Sequence, residues 1–137
     1  MTRRIGFGLV SVLLATLVVG CGARSSKPFT AAGTQACLVK NGFTQVTTDP
    51  TKIGFIARFA ENGGLRATPK SGHVLTIAFS ADANSVKSTK QAFATHAPAR
   101  LRTRMADIME SQGNAVLVWT VSPTPAELAD AEGCLHS

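Results

Sequence analysis

Ser71 and His73, in the run Lys70-Ser71-Gly72-His73, are the first side chains to test for chemistry. A serine hydroxyl beside an imidazole is the pairing that activates an oxygen nucleophile. A serine in a turn before a strand is equally ordinary turn chemistry, and adjacent strand positions point to opposite faces, so the spacing defines no catalytic pair. Asp107 and Glu110 stand three apart. On a helix they could share a metal, and a solvated acidic surface explains them equally well. His96 falls at an expected helix end, where an imidazole suits the helix dipole, and His136 is one residue from the last. Together with Cys37 and Cys134, the three histidines show none of the close pair spacings used by zinc sites. No G-x-S-x-G elbow, phosphate-binding loop, H-E-x-x-H, calcium loop or dinucleotide fingerprint occurs. The sequence therefore names no catalytic residue, no metal ligand and no cofactor.

The arginines are more distinctive. Pro98 to Arg104 reads PARLRTR, with Arg100, Arg102 and Arg104 at alternate positions. Guanidinium groups present planar donor forks that suit phosphate and carboxylate, so an anionic envelope polymer, protein or lipid head group is the expected contact. The competing expectation is pairing within the chain. Residues 22–104 hold 12 basic and 3 acidic residues, net +9, whereas residues 105–137 hold 5 acidic residues and no Lys or Arg. Both alternatives stay open at the level of sequence. The total formal charge of +6 is too small to argue nucleic acid, and no aromatic platform interleaves the arginines. A nucleic-acid partner is not expected.

The first 20 residues place the protein. Arg3 and Arg4 make a positive start, residues 5–19 an apolar run, and small Gly20 precedes Cys21. That order reads as an export signal. A helix of 15 or 16 residues spans about 23 Å, short of the roughly 30 Å hydrocarbon core. Val18-Val19-Gly20-Cys21 resembles the lipobox of bacterial lipoproteins. That resemblance covers residues 1–21 only and implies cleavage before Cys21, acylation of its sulfur, and anchoring in the bilayer on the extracytoplasmic face of the cell membrane. Two or three acyl chains, at about 0.8 kcal/mol per buried CH₂, hold a protein durably. Residues 22–30 (GARSSKPFT) then read as a tether, leaving residues 31–137 for a single domain.

Once Cys21 is assigned to lipid, Cys37 and Cys134 remain, and an even remainder in an exported chain points to a disulfide. Two buried free thiols are the alternative. The bond would clamp the first helix to the last.

The elements that carry these groups follow from pattern. Thr30 caps a helix over residues 31–41, stopped by Asn41-Gly42, and residues 43–48 read as a short edge strand. Asp49-Pro50 with Ile53, Ile56, Ala57 and Ala60 predicts a helix, although the same stretch alternates at period two. Residues 65–68 and 73–79 form a hairpin around Pro69-Lys70-Ser71-Gly72, with Leu75, Ile77 and Phe79 facing the core. Asp82 caps a helix to about residue 95. Residues 99–111 read as a second amphipathic helix, with a strand over 106–110 as the alternative.

Residues 114–121 (NAVLVWTV) are apolar on both faces and belong centrally, with Trp119 beneath a helix. Thr124-Pro125-Ala126-Glu127 is a capping box opening the last helix, in which Gly133 is expected to admit a close neighbour. The fold expected is α+β, a two-layer domain with helices on one face of a small, largely antiparallel sheet. With 45% hydrophobic and 16% charged residues, disorder is excluded. The function expected is a non-catalytic, lipid-anchored envelope domain. A small-ligand binding module and a small envelope hydrolase are the alternatives, and both require a pocket with convergent polar groups.

Overall fold

Alternation decides the sheet. In the computed structural model, which describes residues 26–137, Leu75, Ile77 and Phe79 of one strand are wholly buried on one face, with Ala78 buried on the other. Five strands form one antiparallel sheet: β1 (Thr44–Thr47), β2 (Gly64–Thr68), β3 (Leu75–Phe79), β4 (Met109–Gln112) and β5 (Ala115–Trp119). Their spatial order is β1-β2-β3-β5-β4. β5 pairs along its whole length with β3, from Leu75 opposite Trp119 to Phe79 opposite Ala115. The central position follows from its sequence, because a strand apolar on both sides must be covered on both.

Helix α1 (Ala31–Lys40) lies across β1, β2 and β3 and buries Ala31, Thr34 and Leu38. Helix α5 (Pro125–Gly133) opens on the full capping box. Thr124 Oγ1 accepts from the Glu127 amide, and the Glu127 carboxylate accepts from the Thr124 amide. The Cys37–Cys134 disulfide joins the two helices, as the cysteine count led us to expect. α1 also meets the chain end closely. A Cβ on Gly33 would lie 2.8 Å from the His136 carbonyl oxygen. The close approach expected at Gly133 is made at Gly33 instead, because Gly133 ends α5 in open space.

The α+β class and antiparallel sheet are as expected, and α1 and α5 occupy the face bearing Leu75, Ile77 and Phe79. The opposite face is covered too, since Ala78 and Val118, with Thr76 beside them, offer a largely apolar floor. There Ile53 and Ala57 pack on Ala78, joined by Phe93 of α2 (Val86–His96). Gly64 lets the chain pass, for a Cβ there would lie 2.4 Å from the Ala57 carbonyl oxygen.

Two expected helices are corrected. Residues 50–61 form turns and a single 3-10 turn over 57–59. Asp49 accepts from the Thr51 amide and hydroxyl in a local turn, and Gly54 has φ +89°, a left-handed conformation that ends helical propagation. Residues 99–111 split into two single turns, α3 (Ala99–Arg102) and α4 (Met105–Ile108), and then β4. The alternative of a hairpin strand was right in kind, displaced to 109–112. β5 needs a neighbour on its free edge, and β4 supplies it.

Candidate functional site

Pro98 ends α2, and the chain turns through α3 and α4 before entering β4. In this turn Leu101 points toward the domain while Arg100 and Arg102 are exposed and Arg104 is half-buried. Arg102 Nε donates to the Ala97 carbonyl at 2.9 Å, and Arg104 Nη2 lies 3.4 Å from Ser122 Oγ. Among the described residues the ion pair within 4.0 Å is Lys52 with Asp49. The acidic carboxyl-terminal part therefore does not neutralise Arg100, Arg102 or Arg104 by direct pairing, and Arg100 and Arg102 are exposed.

The same turn forms one wall of a groove. Thr76 and Val118 make its floor, Phe93 and His96 of α2 one side, and Leu101 another. Phe55, from the loop after β1, closes the remaining side. The groove encloses about 190 Å³ and is predominantly apolar. Phe55 and Phe59 are 60% and 63% exposed, which is unusual for two large aromatics side by side. Their rings meet edge to face at 5.2 Å. The Arg58 guanidinium lies 4.7 Å from the Phe59 centroid and 5.8 Å from that of Phe55, within cation–π range. His96 stands 5.9 Å from Phe55, and beyond that pair lies a second hollow lined by Phe59, Ala60, Glu61 and Ala92.

The other sequence candidates go elsewhere. Ser71 Oγ donates to the Glu127 carboxylate, not to His73. That bond and the Thr124 amide hold the Glu127 carboxyl below the usual glutamate range, with the nearby His73 adding to the effect. The arrangement ties the β2–β3 turn to the start of α5. Asp107 lies on α4 and Glu110 on β4, so the shared helical face that would have brought them together does not form. Among the described residues no group of three or more His, Cys, Asp or Glu side chains could hold a metal ion. None of the helices described is long and apolar enough to cross a membrane. Cys21 and the export segment lie outside the described residues.

Two features escaped the sequence reading. Buried Asn114 grips the end of the expected tether: its Oδ1 accepts from the Phe29 amide at 2.7 Å, and its Nδ2 donates to the carbonyls of Phe29 and Ser80. Phe29 packs over Gly113, where a Cβ would lie 2.7 Å from the ring. An Asn after Gly reads as a turn, and nothing in the pattern reveals a partner 85 residues away. The exposure of Phe55 and Phe59 was also hidden, because their period-two spacing is indistinguishable from that of a core strand.

No protein-family model matches this chain, and no curated protein or solved structure matches it either.

Proposed function

We propose that this protein is a non-catalytic, lipid-anchored domain of the bacterial cell envelope, held through acylated Cys21 on the extracytoplasmic face. It acts by contact with an anionic surface, which Arg100, Arg102 and Arg104 recognise. The observation that supports this most directly is the turn over 98–104, whose three guanidinium groups have no carboxylate within 4.0 Å among the described residues. Asn114 adds a constraint on reach. Because Phe29 is fixed to the β4–β5 hairpin, the chain from Cys21 to Phe29 can span at most about 28 Å. A domain so tethered would stay near the head groups, where each exposed arginine contributes up to roughly 1 kcal/mol if the lipids are anionic.

The test uses the mature chain with Cys21→Ser, so that the anchor does not mask the weaker electrostatic attraction. Co-sedimentation with phosphatidylglycerol vesicles should decline steeply as salt rises, since the screening length is about 8 Å at physiological ionic strength. Changing Arg100, Arg102 and Arg104 together to Gln should abolish most adhesion with little change in melting temperature. Normal adhesion by a triple variant that melts much earlier would make those arginines structural and refute the reading.

A further inference from the structure

The arginine turn and the apolar groove share a wall, and that juxtaposition carries an inference about ligand chemistry. We infer that the groove between α2, the 98–105 turn and Phe55 binds the acyl chain of an anionic phospholipid, with Arg58, Arg100 and Arg102 around its phosphate. The inference rests on the proposed contact with an anionic surface and names the molecule that the contact selects.

Charge complementarity limits the occupant. Leu101, a lining residue, stands between Arg100 and Arg102, and Arg58 lies against Phe55, another lining residue. Glu61 borders the second hollow beyond the Phe55–His96 pair rather than the groove itself, and exposed Asp107, two residues after the lining Met105, has no arginine within 4.0 Å among the described residues. Lys52 is engaged by Asp49. Arg58, Arg100 and Arg102 are thus cations adjoining residues that line the groove, and none has a carboxylate within 4.0 Å among the described residues.

The lining limits the occupant further. Thr76 and His96 are the polar side chains among the groove residues, and the remainder are apolar or glycine. An extended peptide laid here would bury backbone amides against hydrocarbon with few partners, and each group left unsatisfied weakens binding. A polymethylene chain has no such groups. A second copy of the domain would bring its own arginines against these, which like-charge repulsion opposes. An anionic head joined to a hydrocarbon chain satisfies both the rim and the trough, and the exposed ring of Phe55 provides the cover between them.

Monomeric lipid distinguishes this from surface adhesion. Oxidised mature chain carrying Cys21→Ser would be titrated with a lysophosphatidylglycerol below its micelle concentration, with backbone amides followed by nuclear magnetic resonance. A lysophosphatidylcholine of the same chain length serves as the zwitterionic control. Saturable one-to-one binding is expected, with shifts gathered at Thr76, Phe93, Leu101 and Val118 and the anionic probe favoured by about tenfold. Phe55→Ser, at a ring already largely in solvent, should weaken both lipids by about tenfold. Arg100→Gln with Arg102→Gln should weaken only the anionic one.

Absence of saturable binding, or shifts gathered elsewhere, would overturn the groove assignment. Equal affinity for both lipids would overturn the role of the arginines. Shifts at the groove on simple dilution would identify a second copy as its occupant, and tighter binding of an acidic peptide would identify a protein ligand. Either result overturns the inference. Vesicle adhesion without monomer binding would leave the proposed function standing and remove the groove. Monomer binding without vesicle adhesion would do the reverse.

Discussion

Replacing Cys37 and Cys134 together by Ala tests how the two helices on the Leu75 face are held. The bond closes a segment of 97 residues, covering almost all of the described chain. In the chain-entropy account a loop of that length contributes about 4.7 kcal/mol at 25 °C by restricting the unfolded state. Cys134 is wholly buried, and its sulfur accepts from Asn41 Nδ2 at 3.2 Å, so lost packing adds on the order of 1 kcal/mol. A domain of this size has a total stability of about 6–17 kcal/mol. The variant should therefore lose a third or more of its stability. With an unfolding entropy of about 0.24 kcal/mol/K, the melting temperature should fall by about 24 °C.

Trp119 is the single tryptophan and is 1% exposed, so its fluorescence reports unfolding in urea. The slope of stability against urea should steepen in the variant, because an uncrosslinked chain exposes more surface. A loss below about 1.5 kcal/mol with an unchanged slope would rule out the crosslink as the main clamp and place the α1–α5 contact in side-chain packing instead.

Asn114→Ala should cost about 2–4 kcal/mol, since it removes bonds to both backbone groups of Phe29. Proteolysis between residues 26 and 30 should accelerate at the same time, and unaltered protection of the Phe29 amide would show that Asn114 is not its clamp. Glu127 is held below its ordinary value, near 4.5, by the Ser71 hydroxyl first and the Thr124 amide second. Its stabilisation is present above the unfolded-state value and fades as pH falls through the depressed one, so acid unfolding should begin below about pH 4.5. Glu127→Gln keeps the capping geometry and should flatten this acid limb, measured by melting temperature against pH. Asp49 and Asp82, lowered chiefly by the amides of Thr51 and Ser85, leave part of the limb in place.

Elements closed by local chemistry were legible in the sequence. The Thr124 box, the Asn41-Gly42 stop and the paired strands around Pro69 to Gly72 each rest on contacts between residues a few positions apart. In β5, burial on both faces is also a local property, so its central place could be read directly. The segments that misled are those decided from a distance. Ile53 and Ala57 have helical spacing, yet they pack where Gly64 and Ala78 leave room, and Gly54 breaks the helix between Asp49 and Ala57.

In the site, the arginine cluster was plain from residue type, but its freedom from the acidic terminal segment is a matter of tertiary placement. The groove was not legible at all. Its lining is drawn from residues 53 to 118, and no single stretch of chain carries a pattern for it.

Intact mass of the protein extracted by detergent from its native membranes tests the proposed lipid anchor. A chain cleaved before Cys21, carrying diacylglyceryl on that residue and retaining the disulfide, is expected. Cys21→Ala should transfer the protein out of the detergent phase. A mass equal to the unmodified chain, cleaved or not, together with unchanged partition of the Cys21→Ala variant, would contradict the anchor.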